Sequence, residues 1–411
     1  MQFVTREKYL DFLHSWKDHE IIKVISGVRR SGKSTLLRLF KNELLENGVG
    51  EDQIHSINFE NRKFREIETY KQLEDYLFER FVENKMNYVF LDEIQNIKSF
   101  EKAVNALFVE NNVDVYITGS NAYFMSGELA TLLSGRYVEL PILPLSFKEF
   151  VAWHKQYNDV SAGWSLPMFY NEYIKSSFPY TIILQSKDER DTYLDGLVST
   201  VLIKDVVERN KITDVGALER ITDFLFNVIG SSISINKVRN TLKSNGLPLS
   251  AVTVDKYINS LEKALLFYSA RRFNIRGKRL LEREEKFYTV DVGLRNLRLP
   301  DSPEDAGHVL ENIVYLELLR RFKNVYVGKI DEFEVDFVAV NTKQEIQYFQ
   351  VALTTLDKNI LARELRSLRK IPDAYPRSLL TLDEINRTAN YNGIQKINVL
   401  DWLLQDSTKD Y

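Results

Sequence analysis

Apolar and polar positions alternate with two different periods along the first third of the chain. Short runs rich in β-branched and aromatic residues are typical of buried strands. Longer stretches between them place apolar residues three and four apart, which predicts helices with one buried face. The predicted strands are residues 21–26, 54–59, 88–91 and 113–118, and the predicted helices are residues 1–20, 34–47, 70–84 and 99–110. This order predicts an α/β fold, a parallel sheet with helices on both faces.

The alternation stops near residues 141–144, and the later chain follows a different plan. A mostly helical, aromatic region comes first and is followed by a winged-helix-like region of short helices. The stretch FYTVDVGL then opens a second, small α/β region. We therefore predict four parts, which are residues 1–145, 146–213, 214–285 and 286–411.

Composition narrows the class of protein. The chain has 411 residues, of which 44% are hydrophobic and 27% charged, which is ordinary for a globular protein. Its net charge is −3, so nucleic acid would have to bind at a local basic patch. The sequence has no cysteine, which excludes disulfides, cysteine-ligated zinc and thiol nucleophiles. It shows neither a signal-peptide pattern nor an apolar run long enough to span a bilayer, so we expect a soluble cytoplasmic protein without membrane contact.

The most informative stretch is GVRRSGKS, residues 27–34, between the first predicted strand and a helix. Its glycines allow a loop whose backbone N–H groups face phosphates, and the helix that begins there adds a positive N-terminus. Lys33 would reach the β- and γ-phosphates, and the hydroxyl of Ser34 would bind Mg²⁺. A chance match in a glycine-containing turn is the alternative, and the place between strand and helix argues against it. The predicted nucleotide-binding residues are Gly27, Arg30, Ser31, Gly32, Lys33, Ser34 and Thr35.

Polar residues follow the third and fourth predicted strands. Asp92 fits an acid that holds Mg²⁺, and Glu93 fits a base that orients the attacking water. Many strands end in solvated acids, so this interpretation depends on the loop at 27–34. Asn121 could hold the same water, with Ser120 beside it, although Gly-Ser-Asn is also good turn chemistry.

The stretches GVRRSGKSTL, YVFLDEIQ, ITGSNA and LLSGRYVELPILPLSFKEF, with a later FPY segment, resemble the AAA-plus superfamily. More closely, they resemble a bacterial and archaeal group of ATPases that joins an AAA-type module to a C-terminal domain of unknown function. The resemblance covers nearly the whole chain and is most specific in residues 22–150. It implies ATP and Mg²⁺ as ligands, and the sequence also lacks the Asn-Lys-x-Asp string of guanine-specific switches.

The same resemblance implies which residues bind and hydrolyse ATP. They are Lys33 with Ser34, Asp92 with Glu93, Asn121, and Arg136 of the Ser-Gly-Arg turn. An arginine in that turn could reach the γ-phosphate held by a neighbouring subunit, where such a finger is worth roughly 10³–10⁵ in rate. An arbitrary arginine would more simply be a surface residue, but the resemblance favours the catalytic role. It thereby implies a homo-oligomer.

Residues 251–265 read as a recognition helix of a winged helix-turn-helix, with Ser250 or Thr253 as its cap. A dense basic run follows it, which would suit phosphate contacts on a hairpin wing. The run contains Arg271, Arg272, Arg276, Lys278, Arg279 and Arg283. We therefore expect contact with duplex DNA through residues 251–283, while a protein-binding module and a merely solvated basic face remain as alternatives.

The last region resembles the core of restriction endonucleases, in which acids on a helix and two strands hold Mg²⁺ beside a lysine. Glu311, Asp336 and Gln350 match three of the four positions. The fourth should be a lysine, but it is Ala352, and Lys358 lies too far along to replace it by simple spacing. We therefore expect a degenerate nuclease fold, with an active nuclease or an unrelated α/β interaction domain as alternatives.

Three functions are compatible with the sequence. The leading one is an AAA-plus ATPase whose later domains bind DNA. The second is a slow, nucleotide-operated switch for protein interaction or defence, without DNA. The third is a nuclease gated by ATP.

Overall fold

The computed structural model describes residues 5–120, 133, 135–158, 163–299 and 303–406. The chain forms two compact units. The first comprises residues 1–144 with 263–265, and the second comprises residues 145–262 with 266–411. The division into four parts is finer than this and stays a prediction.

Helices and strands alternate through the first unit as the apolar pattern predicts. Its helices are α1 (Glu7–Ser15), α2 (Lys33–Glu46), α3 (Tyr70–Phe78) and α4 (Phe100–Phe108), and its strands are β1 (Ile22–Ser26), β2 (Ile54–Asn58), β3 (Asn87–Asp92), β4 (Val113–Gly119) and β5 (Tyr137–Pro141). The helix predicted over residues 70–84 is shorter, because buried Asn87 pairs with the backbone N–H and C=O of Val82 and draws the chain out of the helix.

The five strands form one parallel sheet in the order β2-β3-β4-β1-β5. Side chains alternate along β3, so Val89 and Leu91 pack in one core cluster while Tyr88 and Phe90 pack in the other. The first cluster also contains α3 and α4, and the second contains α1 and α2. Helices thus cover both faces, and the carboxyl ends of all five strands share one edge of the sheet.

A buried ion pair joins β1 to β4 inside this unit. Lys23 interrupts the apolar run of β1, and its ammonium contacts the carboxylate of Asp114 with both side chains almost fully buried. Asp114 also accepts from the Tyr116 hydroxyl at 2.8 Å and from the backbone N–H of Asp18 at 2.9 Å. Burial lowers the pKa of Lys23 more than Asp114 raises it. These hydrogen bonds let a lysine lie in a strand that is otherwise apolar.

The second unit begins with helices and continues as a mixed α/β region. Its helices are α5 (Phe147–Tyr157), α6 (Leu166–Tyr173), α7 (Lys187–Thr200), α8 (Val215–Asn227), α9 (Ile235–Ser244), α10 (Ala251–Lys263), α11 (Val292–Arg298), α12 (Ala306–Arg321), α13 (Lys358–Lys370) and α14 (Val399–Leu404). Its strands are β6 (Ser232–Ile233), β7 (Phe267–Asn274), β8 (Arg279–Thr289), β9 (Asn324–Ile330), β10 (Phe333–Val340), β11 (Ile346–Ala352), β12 (Arg377–Thr381), β13 (Thr388–Tyr391) and β14 (Ile394–Asn398). A π-helical segment, Val201–Glu208, continues α7. The short 3₁₀ helices in the described part of the chain are Glu51–Gln53, Arg62–Phe64, Ile94–Asn96, Pro179–Ile183 and Pro303–Asp305.

The nine strands described in the second unit form one sheet, in the order β13-β14-β12-β11-β10-β9-β7-β8-β6. The hairpin β7–β8 was expected to end a separate winged-helix region at residue 285, but that boundary falls inside β8. The physical reason is the parallel pairing of β7 with β9, which places Phe273 opposite Gly328 and continues the sheet into the last third of the chain. The hairpin and the second α/β region therefore share one sheet.

The described helices include none that is both long and apolar enough to cross a membrane. The cytoplasmic location expected from the sequence stays a prediction.

Candidate nucleotide site

The loop after β1 has the backbone that its glycines predict. Gly27 and Gly32 have φ of +155° and +105°, a region that favours glycine. A Cβ added at Gly27 would overlap the carbonyl oxygen of Ile142. The Lys33 ammonium donates to the carbonyl oxygens of Gly27 at 2.8 Å and Val28 at 3.1 Å. The lysine is thus folded across its own loop, with a side chain only 3% exposed.

Two features of the loop fit an anionic ligand such as a phosphate. α2 begins at Lys33, and no side chain among the described residues caps its first turn, so backbone N–H groups there remain for another acceptor. The hydroxyl of Ser31 is buried and has no hydrogen-bond partner within the described part of the chain. Ser34 and Arg30 are exposed and Thr35 is half-buried at the same end of the helix. The predicted binding residues therefore lie around one helix N-terminus that carries the charge of Lys33.

Asp92 lies at the carboxyl end of β3, close to the hydroxyl of Ser34, which lowers the pKa of Asp92. Its carboxylate also accepts from the Thr118 hydroxyl at 2.5 Å and from the Asn58 amide at 2.6 Å. Burial raises the pKa of Asp92, and the charge of Glu93 adds to that effect, although the hydrogen bonds from Thr118 and Ser34 oppose it. A hydroxyl and a buried carboxyl side by side are the oxygen ligands that Mg²⁺ prefers.

Glu93 follows Asp92 in the left-handed region, with φ of +56°. Its carboxylate lies 3.7 Å from the Lys33 ammonium and accepts from the Gln95 amide. Burial alone would raise the pKa of Glu93, but Lys33 and Gln95, with a contribution from Arg29, outweigh burial, so the pKa is lowered. An ionised carboxylate at this place could accept a hydrogen bond from a water beside the phosphates.

Two residues of this cluster were missed by the sequence analysis. Thr118 donates its hydroxyl to Asp92 and accepts from the backbone N–H of Glu93 at 2.9 Å, so it holds both acids. Asn58 reaches Asp92 from the end of β2, directly opposite it in the sheet. The available signal was a polar residue near the end of each of two predicted strands. That both residues contact Asp92 follows only from the order of the strands in the sheet.

The other predicted catalytic residues are placed as follows. Ser120 is buried after β4, with its hydroxyl 3.5 Å from the Gln95 amide that also contacts Glu93. Asn121 lies outside the described residues. Arg136 is exposed just before β5, with its guanidinium over the ring of Phe108 at 5.1 Å.

Arg136 lies at the amino ends of the parallel strands, whereas the acids lie at the carboxyl ends. It precedes Tyr137, which pairs with Ile22 at the start of β1, whereas the loop follows the end of β1. Five residues of strand separate the two edges by about 16 Å. Arg136 is therefore not brought to the nucleotide loop of its own chain.

Two arginines of the basic run predicted to contact DNA are paired with acids. Arg272 lies within 3.0 Å of Glu284 and 2.9 Å of Glu334, and Arg276 lies 2.9 Å from Asp331. A helix is present where the recognition helix was predicted over 251–265, as α10, and Ser250 caps it by accepting from the backbone N–H of Thr253 at 3.0 Å. The assignment of this region as a DNA-reading winged helix stays a prediction.

The three residues that match a nuclease lie on the expected elements. Asp336 accepts from the backbone N–H of Val351 at 2.8 Å, and Gln350 donates to Glu364 at 2.9 Å. Glu311 on α12 contacts the ammonium of Lys286 at 2.9 Å. Burial and the charge of Glu311 raise the pKa of Asp336.

Lys286 from β8 occupies the centre of this acidic group and also contacts Glu334 at 2.8 Å. Among the described residues, no group of three or more His, Cys, Asp or Glu side chains is placed to hold a metal ion. Ala352 ends β11, and Lys358 begins α13. The degenerate nuclease interpretation stays a prediction.

The parallel sheet with its glycine loop, lysine and paired acids is the fold of P-loop ATPases of the AAA type. A family model described as an AAA domain matches residues 19–151. A second model, described as a domain of unknown function, matches residues 167–305, which lie in the predicted helical and winged-helix regions more than in the C-terminal part. Residues 19–151 therefore belong to the AAA domain family.

Two relatives extend over nearly the whole chain. An uncharacterized protein of Haemophilus influenzae is 40% identical over 404 residues, 98% of this chain and 99% of its own length. An uncharacterized protein of Methanocaldococcus jannaschii is 31% identical over 394 residues, 92% of this chain and 85% of its own length. Among solved structures, a Walker-type ATPase of Pyrococcus abyssi is similar with 16% identity and a TM-score of 0.45, over 72% of this chain and 96% of that one.

Proposed function

We propose that the chain binds ATP with Mg²⁺ at the loop of residues 27–34 and hydrolyses it. The observation that carries the proposal is the cluster in which Lys33, the hydroxyl of Ser34 and the acids Asp92 and Glu93 meet at the uncapped N-terminus of α2. Lys33 and the helix N-terminus would hold the phosphates, and Ser34 with Asp92 would hold Mg²⁺. Glu93, ionised beside Lys33, would orient the attacking water. Bound Mg²⁺ would neutralise charge that develops on the phosphates.

Lys33→Ala is expected to weaken MgATP binding at least about 100-fold, because it removes a charged donor from a buried anion site. Binding is measured by calorimetry or with a fluorescent ATP analogue. Lys41→Ala, at a half-exposed position further along α2, is the matched control and should bind like wild type. Equal binding by Lys33→Ala and wild type would refute the assignment of the site.

The same cluster would also serve a slow nucleotide-operated switch. The two functions differ in turnover and not in ligand, so the rate of phosphate release separates them. A nuclease gated by ATP is favoured by no contact in the described part of the chain, where Lys286 fills the centre of the acidic group around Glu311.

We further propose that the active form is a homo-oligomer in which Arg136 serves the site of a neighbouring subunit. The support is geometric, since Arg136 is exposed and lies at the sheet edge away from its own loop. An arginine so placed can meet only a phosphate that another copy of the chain presents.

Contact with duplex DNA is the second candidate function, and its support comes from α9 and α10. Lys237, Lys243 and Lys256 are exposed on these helices, and within the described residues none is in an ion pair. Arg272 and Arg276 are held by acids, so these lysines are better placed to contact phosphates than the basic run.

Replacing the three lysines Lys237, Lys243 and Lys256 with glutamine is expected to lower affinity for duplex DNA. The slope of log affinity against log salt should fall by about 2.7, since each phosphate contact contributes about 0.9. The measurement is a salt titration of fluorescence anisotropy with a labelled duplex. The charge-matched control replaces Lys63, Lys71 and Lys98, which are exposed in the first unit. Equal slopes for the two triple variants, or no binding by wild type, would remove the DNA proposal.

A further inference from the structure

An arginine outside the nucleotide motif reaches the loop from the other side. Arg6 precedes α1, and its side chain is buried, with the residue 5% exposed. Its Nη1 donates to the carbonyl oxygen of Ser31 at 3.0 Å. Its Nη2 donates to the carbonyl oxygen of Leu143 at 3.0 Å and approaches that of Pro144 at 3.5 Å. One guanidinium therefore joins the loop to residues 143–144.

The ring of Tyr9 supports this guanidinium from the first turn of α1, with the Arg6 Cζ 4.4 Å from its centroid. A guanidinium is planar and carries five donors in a fixed fork, so it can serve two carbonyl groups in different directions. A lysine ammonium at the same place would be a single point on a flexible stem. The bridge thus depends on the shape of arginine and not only on its charge.

The other end of the loop is fixed against the same segment. The backbone N–H of Ile142 donates to the carbonyl oxygen of Ser26 at 2.7 Å. The carbonyl oxygen of Ile142 lies where a side chain on Gly27 would be. Residues 142–144 therefore contact the start of the loop directly and its fifth residue, Ser31, through Arg6.

Ser31 lies where its hydroxyl and the next backbone N–H could contact a bound phosphate. Its hydroxyl is buried and has no partner in the described part of the chain, and it is next to Gly32, which begins the turn into α2. When Arg6 fixes the carbonyl group of Ser31, it also fixes the following peptide N–H, which belongs to Gly32. A loop that is ordered before the ligand arrives loses less entropy on binding.

We propose that Arg6 is a positioning residue of the nucleotide site, which holds the loop at Ser31 in its phosphate-binding conformation by tying it to residues 143–144. This inference rests on the proposed ATP site. Arg6 acts through the backbone of the loop and does not contact the reacting atoms. Its loss should therefore weaken MgATP binding more than it slows the chemical step.

The test compares Arg6→Ala and Arg6→Lys with wild type for the KM and kcat of ATP turnover and for MgATP affinity. Arg6→Ala is expected to raise KM at least about tenfold, because two hydrogen bonds from a charged donor are lost, and to change kcat less. Arg6→Lys keeps the charge but cannot bridge both carbonyl groups, so it should give an intermediate KM. Should Arg6→Ala not fold, Arg6→Lys carries the same comparison.

Added methylguanidinium should lower the raised KM of Arg6→Ala towards the wild-type value, which a general loss of stability would not allow. The matched control is Tyr88→Phe, which removes a 2.8 Å hydrogen bond to Asp18 in the same unit and away from the loop. It should lower the melting temperature without raising KM. Unchanged KM in both Arg6 variants, or a KM in Tyr88→Phe raised as far as in Arg6→Ala, would overturn the assignment.

The result for wild type separates the role of Arg6 from the proposed function. If wild type binds MgATP and the Arg6 variants bind it equally well, only the role of Arg6 is refuted. If wild type itself does not bind MgATP, the proposed function fails, and the role of Arg6 fails with it.

Discussion

Glu93→Gln is expected to lower steady-state ATP turnover by about 10²–10⁴-fold and to leave MgATP binding close to that of wild type. The amide keeps the shape of the side chain but cannot accept a proton from water. Lys33, 3.7 Å away, together with Gln95 outweighs the burial that would raise the pKa of this carboxyl, so its ionised form is favoured. Phosphate release under saturating MgATP measures the turnover, and equilibrium titration measures the binding.

The matched control for this change is Glu60→Gln. Glu60 is exposed and contacts Arg29 of the nucleotide loop at 2.9 Å. It therefore presents a carboxylate near the site but outside the cluster of Lys33 and the two acids. It should turn over ATP at nearly the wild-type rate. Turnover by Glu93→Gln equal to that of Glu60→Gln would mean that Glu93 does not serve the attacking water.

Arg136→Ala is expected to reduce turnover by roughly 10³-fold or more if the guanidinium neutralises charge on a phosphate of the next subunit. Loss of packing against Phe108 gives no reason for a change of that size, since Arg136 is exposed and Phe108 is only half-buried. Arg62→Ala, another exposed arginine of the first unit, is the control and should keep full activity.

Mixing two inactive variants tests whether Arg136 acts between subunits. Arg136→Ala supplies an intact loop, and Lys33→Ala supplies an intact arginine. A mixture should therefore regain part of the activity that neither variant has alone. A mixture as inactive as its components, or an Arg136→Ala variant with wild-type turnover, would exclude a role between subunits.

The sequence was sufficient for the loop and the two acids because each is a short contiguous pattern with a defined place. The backbone at positions 27 and 32 has φ values that residues other than glycine rarely adopt, so the two glycines mark the loop. The adjoining strand and helix are predicted by apolar periodicity. Thr118 and Asn58 were not predicted, because each contacts Asp92 from a neighbouring strand. Their contact with Asp92 depends on which strands are neighbours in the sheet.

Arg6 was not predicted either, because its contacts join residues that are still further apart in the sequence. It lies 25 residues before Ser31 and 137 before Leu143, and nothing in a local pattern links these positions. The nine-stranded sheet was missed likewise, since the pairing of β7 with β9 joins segments separated by α11 and α12. Local patterns predict elements and motifs, whereas long-range pairing depends on packing that periodicity does not contain.

The central claim is that residues 27–34 bind ATP for hydrolysis, and Mg²⁺-dependent phosphate release tests it most directly. Wild type and Lys33→Ala are compared at the same protein concentration, with Mg²⁺ and with excess chelator. We expect release by wild type that requires Mg²⁺, and none above background by Lys33→Ala. Equal release by the two proteins, or release by wild type that persists in the chelator, would contradict the claim.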